Sequence, residues 1–373
     1  MSLPRHANRL WRKNNVMATS SPSSDLQDRF TGLLLGTAVG DALGLPAEGI
    51  SRGRIQRLWR GQWRHRFLFG CGMVSDDTEH TLFVSQALLA HPEDAATFQR
   101  CLAWKLRLWL LGLPAGIGLA TLKAILRLWF GFPPSRSGVC SAGNGPAMRS
   151  AIIGAYFFDD AQKRRAFVSA ATRLTHTDPK AETAALAVAE AAALSVGQSR
   201  GSAESWLLHL PSLGTDAEWQ EICRKLRAAL AAGRSVAEFA DELGLQRGVT
   251  GYAYHSVPVA LYAWLRHPDD FRTALIAVLA CGGDTDTVGA ILGALMGARL
   301  GRVAVPQEWL GGIYDWPRSA GLLVQVAEQL SQQRTTKRVL GPVRYFWPLL
   351  AIRNVVFLVT VLCHGFRRLL PPY

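Results

Sequence analysis

The chain has six cysteines in 373 residues and no C-x-x-C pair among them, which argues against both a zinc ribbon and a disulfide framework and predicts a reducing, cytoplasmic setting. Alternating β-branched runs are missing, so an all-α domain is expected. The uncharged run in the tail, Asn354 to Phe366, is too short to span a bilayer comfortably and suits a buried or interfacial helix. Residues 1–27 contain no apolar core of the signal-peptide kind and are expected to form a flexible basic arm. Acid is scarce too: 28 Asp and Glu stand against 41 Lys and Arg, a net charge of +13. The excess is uneven, with Arg52, Arg54, Arg57, Arg60, Arg64 and Arg66 in one acid-free interval and seven Lys and Arg after the last acid, Glu328. Such blocks suit phosphates, nucleic acid or an anionic membrane surface, and solvated basic faces account for them equally well.

What is present centres on Cys281-Gly282-Gly283-Asp284-Thr285-Asp286-Thr287, followed by an apolar run with Gly289, Gly293, Gly297 and Gly301. Flexible glycines, capping Asp and Thr, and apolar residues without strand alternation predict a helix start. An interior glycine gives up roughly 1 kcal/mol relative to alanine, so four at regular spacing imply a packing reason. Gly32, Gly36, Gly40 and Gly44 repeat the device, and the two helices are expected to touch backbone to backbone, bringing Asp41 and Glu48 towards Asp284 and Asp286. A second acidic start, Ser75-Asp76-Asp77-Thr78-Glu79, precedes Leu82, Phe83 and Val84. Clustered carboxylates and hydroxyls suit a hard divalent cation better than zinc.

Elsewhere the Arg-rich segment after Glu48 is expected to be a long loop. Residues 98–132 predict two helices joined around Gly112-Leu113-Pro114, and Gly143-Asn144-Gly145-Pro146 predicts a helix start whose free N–H groups could hold an anion. His176-Thr177-Asp178-Pro179 opens an Ala-rich helix closed by Gly197, and helical patterning continues over 206–243 and 252–264. The domain division is an arm over 1–27, a catalytic domain over 28–333 and a basic, apolar tail over 334–373. The basic ends of that tail suit peripheral contact with a membrane, and packing on the domain or on a second subunit competes with it.

Gly36-Thr37-Ala38-Val39-Gly40-Asp41-Ala42-Leu43-Gly44 with Glu48, Ser75-Asp76-Asp77-Thr78, Gly143-Asn144-Gly145 with Met148-Arg149, His176-Thr177-Asp178-Pro179 and Gly283-Asp284-Thr285-Asp286-Thr287 resemble, in order, the motifs of ADP-ribosylglycohydrolases. The resemblance implies a compact helical domain with two Mg2+ ions, or Mn2+, in a central cleft. Ser75, Asp76, Asp77, Asp284, Asp286 and Thr287 would be the metal ligands, and Glu48 and Asp77 would carry the catalysis. Gly143, Asn144, Gly145 and His176 would bind substrate, with Tyr252, Tyr254 or His255 as a wall for adenine or ribose. The implied activity is hydrolysis, by direct attack of water, of the bond from the distal ribose of ADP-ribose to a protein side chain or related conjugate. A non-catalytic ADP-ribose reader, a metal-dependent phosphohydrolase and a nucleic-acid-binding protein are the rival readings.

Overall fold

The protein is described by a computed structural model covering residues 22–197 and 203–370. Its centre is a pair of antiparallel helices, α1 (Pro22–Gly44) and the later Thr285–Leu300, joined through their glycines. A Cβ on Gly40 would lie 2.0 Å from the Gly289 carbonyl oxygen, one on Gly36 2.1 Å from that of Gly293, and one on Gly297 1.9 Å from that of Gly32. Only hydrogen fits at these crossings, which is why the stripe recurs in both segments.

Around the pair stand α2 (Arg52–Trp59), α3 (Asp76–Ala90), α4 (Ala95–Leu111), α5 (Leu119–Trp129), α6 (Gly145–Met148), α7 (Ala151–Tyr156), α8 (Ala161–Arg173) and α9 (Pro179–Val196). The chain continues with α10 (Ala203–His209), α11 (Ala217–Ala231), α12 (Val236–Glu242), α13 (Ala253–Arg266), α14 (Phe271–Leu279), the central α15 (Thr285–Leu300), α16 (Gln307–Leu310), α17 (Ala320–Thr336) and α18 (Leu349–Arg367). Among the described residues the only sheet is two residues per strand, β1 (Ile50–Ser51) antiparallel to β2 (Gly282–Gly283). The all-α expectation holds. Asp178 caps α9 by accepting from the Lys180 N–H at 2.9 Å, and Gly197 ends it, as the sequence indicates.

Several expectations need correction. Residues 1–21 of the proposed arm lie outside the described residues, and 22–27 are the first turns of α1. Arg29 donates to Asp25 at 3.0 Å there, and Leu26 packs on the core. The Arg-rich segment is not all loop. It contains α2, whose Ile55 and Trp59 are buried one turn apart while Arg52 meets Asp241 at 2.5 Å. That i, i+4 apolar pair is legible in the sequence but is masked by the arginines around it. The 206–243 pattern is three helices, broken by Pro211 to Gly214 and by Gly233.

The 334–373 tail does not stand apart from the domain. α17 crosses its boundary and α18 lies against the body, with Phe357 packed on Phe67 and Met73. Arg353 of α18 is buried, pairing with Asp315 at 2.5 Å and donating to the Val74 carbonyl at 2.6 Å. Glu79 completes the network: it pairs with Arg318 and accepts from the Trp109 indole at 2.6 Å. Removing one partner of such a buried set leaves charge unpaired, at a cost of about 3–5 kcal/mol. Arg353→Ala should therefore lower the unfolding free energy by about that amount, measured by denaturant titration. A loss below about 1 kcal/mol would mean that α18 is not fastened here.

Candidate active site

The antiparallel glycine contact sets the end of α1 beside the start of α15, where Thr285 donates to the Gly44 carbonyl at 2.8 Å. β1 then ties the segment after Glu48 to β2: Gly49 donates to the Gly283 carbonyl at 2.7 Å, and Asp284 donates to Val249 at 2.9 Å. Gly283 has φ +82°, and a Cβ on it would fall 1.9 Å from the Val249 oxygen, so glycine is required immediately before Asp284.

Asp41, fully buried on α1, does not face the cleft as a spare carboxylate. Its two oxygens accept from the Ser75 N–H at 3.0 and 2.9 Å, and Oδ2 also accepts from the Thr78 N–H at 3.1 Å and hydroxyl at 2.6 Å. It thereby anchors the start of α3 to α1. Burial pushes its pKa up to about 6, against the pull of the Thr78 and Ser75 hydrogen bonds.

The two acidic helix starts meet across this anchor. The Ser75 hydroxyl caps α3 and donates to Asp77 Oδ2 at 3.2 Å, and Thr287 of α15 donates to the same oxygen at 3.3 Å. Asp284 accepts from the Asn144 amide at 2.6 Å. Asp77 and Asp286 are buried, and one oxygen of each, Oδ1, has no hydrogen-bond partner. Burial, then like charge, raises their pKa values: Asp41 and Asp76 press on Asp77, while Glu48, Asp284 and Asp77 press on Asp286. Asp76, part-exposed to the cleft, is pushed up to about 8 by burial and then by Asp41 and Glu79.

Among the described residues no three Asp, Glu, His or Cys groups converge enough to cage an ion by themselves. The donor set of carboxylates and hydroxyls with two bare buried oxygens nonetheless fits hard divalent cations, because an unpaired buried carboxylate oxygen is costly without one.

Opposite stands the glycine loop. His176, buried, lies under it, and a Cβ on Gly143 would come 3.0 Å from Nε2. Thr175 accepts from Arg149 at 2.6 Å, and its hydroxyl pairs with His176 Nδ1 at 2.8 Å. Burial, then Arg149, drives the His176 pKa down to about 3, so the ring is neutral and acts as a wedge. The loop differs from expectation in one respect. Gly143 N–H donates to Ser141 at 3.3 Å and Asn144 N–H to Gly251 at 3.0 Å, so of the three only Gly145 keeps its N–H for a ligand. Glu48 is open to solvent at the rim yet ringed by protein. Loss of water, then Asp284, holds its pKa above the ordinary value, while Arg368 pulls it down.

Together these groups enclose a cleft of about 550 Å3 lined by Glu48, Ser75, Asp76, Asp284, Asp286 and Thr287 on one side and by Gly143, Asn144, Gly145 and His176 on the other. Asp77 lies just behind this lining. The model of the family described as ADP-ribosylglycohydrolase matches residues 22–339. The chain belongs to that family.

A protein of Archaeoglobus fulgidus is 32% identical over 301 residues, covering 78% of this chain and 93% of that one. The ADP-ribosyl-[dinitrogen reductase] glycohydrolase of Rhodospirillum rubrum is 27% identical over 76% of this chain and 90% of its own. ADP-ribosylhydrolase ARH3 of Gallus gallus is 28% identical over 75% and 88%. A solved structure titled ADP-ribosylglycohydrolase-related protein complex aligns with a TM-score of 0.55 at 26% identity, covering 83% of this chain and 99% of that one. ADP-ribosylglycohydrolases hydrolyse ADP-ribosyl bonds, so at that level both the enzyme class and a substrate carrying ADP-ribose follow.

In this family member, sequence reasoning missed part of the cleft. Gly116 and Gly118 to Thr121 at the start of α5, the Val249-Thr250-Gly251 loop, and Phe357 and Val361 of α18 all line it. None carries a charge or a motif, so only three-dimensional proximity reveals them. Of the suggested aromatic wall, Tyr254 is core, its hydroxyl donating to Asp216 at 2.7 Å. Tyr252 and His255 stand behind the 249–251 loop, where His255 Nδ1 pairs with the Thr250 hydroxyl at 2.9 Å.

Proposed function

We propose that the chain releases intact ADP-ribose from a modified protein side chain or a related ADP-ribosyl conjugate, by attack of water at the distal ribose. The observation that supports this most is the pair of bare buried oxygens, Asp77 Oδ1 and Asp286 Oδ1, on the two acidic helix starts at a cleft of ligand size. Two hard cations, Mg2+ or Mn2+, would be held by Ser75, Asp76, Asp77, Asp284, Asp286 and Thr287 and would supply positive charge for the ribose hydroxyls and a more acidic attacking water.

Glycosidic cleavage passes through an oxocarbenium-like state, which needs a group to move a proton at the departing or attacking oxygen. Glu48 meets that need: it reaches solvent, sits over the acidic side, and its raised pKa lets its carboxyl hold a proton closer to neutral pH than an ordinary glutamate does. Gly145 N–H and the Asn144 side chain face the space for the diphosphate, and Asn144 also fixes the direction of Asp284. The neutral His176 keeps that loop from collapsing inward.

Arg-linked, Ser-linked and nucleic-acid-linked ADP-ribose, offered with Mg2+, Mn2+ or chelator, test the reading. Intact ADP-ribose released from at least one conjugate, and none with chelator, is expected. Cleavage at the pyrophosphate would replace the reading by a phosphohydrolase, and tight ADP-ribose binding without release from any conjugate would replace it by a reader.

A further inference from the structure

Three stretches of the chain contain no Asp or Glu at all: residues 49–75, 95–158 and 329–373. They hold 20 of the 41 Lys and Arg, and among the described residues 23 of the 27 strongly exposed large hydrophobic side chains. Cations and apolar side chains, normally segregated, here share the same segments while acid is excluded from them.

The fold also brings the three stretches together. Asn354 of α18 donates to the Gly112 carbonyl at 2.7 Å between α4 and α5. His364 meets the Pro46 carbonyl at 2.9 Å, and Arg54 of α2 donates to the Arg368 carbonyl at 3.3 Å, at the far end of α18. Leu108 of α4 and Trp347 line one hollow with Leu350. The outer face of α18, with Val355, Val356, Val359, Leu362 and Phe366, is thus continuous with the exposed side of α4.

By length and composition α18 could cross a membrane. Its inner face does not allow it: Arg353, Asn354, Thr360 and His364 are buried against the domain, and a spanning helix would carry them into hydrocarbon. A helix held by one polar face and bare on an apolar one, with cations at its flank, has the construction of an interfacial helix.

We propose that this face docks on an anionic membrane surface. α18, which forms it, also lines the cleft through Phe357 and Val361, so the mouth opens at the edge of the docked face. A two-fold dimer through the same face would set acid-free surface against its own copy, cation against cation, and so is disfavoured. Nucleic acid would satisfy the arginines and leave the valine and leucine side chains of α18 without a partner.

The full chain should sediment with vesicles containing about a third phosphatidylserine, and much less with phosphatidylcholine alone, since each cation near the surface adds about 1 kcal/mol. Val355→Asp with Val359→Asp should weaken that binding by about tenfold or more while leaving ADP-ribosyl hydrolysis in solution and the melting temperature unchanged. Arg57→Glu with Arg64→Glu should remove the preference for phosphatidylserine without touching α18. The proposal is overturned if neither vesicle retains the protein, if the double Asp variant binds as the parent does, or if light scattering shows a dimer that the Asp pair dissociates. Loss of folding in that variant shifts the decision to the Arg57 and Arg64 pair, whose unchanged phosphatidylserine preference would equally overturn it.

Discussion

Asp286→Asn should lower turnover by roughly 10²–10³-fold or more, the scale on which removal of one preorganised electrostatic group falls. The substitution keeps shape and burial and deletes only charge, so the protein should still fold. In the metal-free form it should melt at a higher temperature than the parent, because the pKa of Asp286 is raised: keeping it ionised in the fold costs stability that asparagine does not. The rise in melting temperature expected of the parent with Mg2+ should shrink in the variant. Full activity in Asp286→Asn would remove the metal assignment altogether.

The same charges give a pH signature. Asp76 and Asp41 ionise in the fold near about 8 and about 6, against 3.8 when unfolded. Between those values the folded state binds more protons than the unfolded, so the metal-free protein should lose stability as pH rises from 6.5 to 8. Saturating Mg2+ should flatten that slope. Below the ordinary histidine value of 6.5 the slope is eased, because His80 and His176 are buried neutral and the unfolded chain takes up their protons, offsetting part of the carboxylate effect. Thermal melts across pH, with and without chelator, read both limbs. A metal-free protein that gains stability between 6.5 and 8 would show that the carboxylates do not repel one another as drawn here.

Gly293→Ala should be among the most damaging single methyl groups that can be added. Its Cβ would stand 2.0 Å from the Gly36 carbonyl oxygen, and the obstacle is backbone, so no side chain can turn away. The two central helices must then separate, at a cost on the order of 3 kcal/mol, the upper range for overpacking a filled core. Activity should fall as well, because the same two helices carry Asp41 and Asp286. Gly53→Ala is the control: nothing lies within 4 Å of its Cβ site, and it sits in a helix, so the change should be neutral or slightly stabilising. If Gly293→Ala melts with the parent, the close approach of the helices is wrong.

The glycine stripes and the acidic helix starts were legible because a physical necessity leaves a local mark. Glycine at every fourth position has a cost in a helix interior that only a close neighbour offsets, and adjacent carboxylates repel unless something binds them. The role of Asp41 was half legible. Its position in the motif places it near the site, but only the structure shows both oxygens taken up by the α3 start. The glycine loop misled for a related reason: glycines announce available N–H groups, while Ser141, two residues back, takes one and Gly251, more than a hundred residues away and invisible locally, takes another. Least legible was α18, whose valines read the same in a core, an interface or a membrane. Arg353, with Asn354, Thr360 and His364, marks its inner face, and the partners of Arg353, Asp315 and Val74, are distant in sequence.

That arginine gives the protein an order of assembly. A chain emerging from the ribosome folds its N-terminal parts first. Here, however, α1 waits for α15, and Val74, the residue before the first acidic helix start, waits for Arg353. Until both have emerged, the carboxylates of the cleft have neither their opposing helix nor their far wall. A nascent chain is therefore inactive for most of its synthesis, and the cleft becomes competent to bind in one late step.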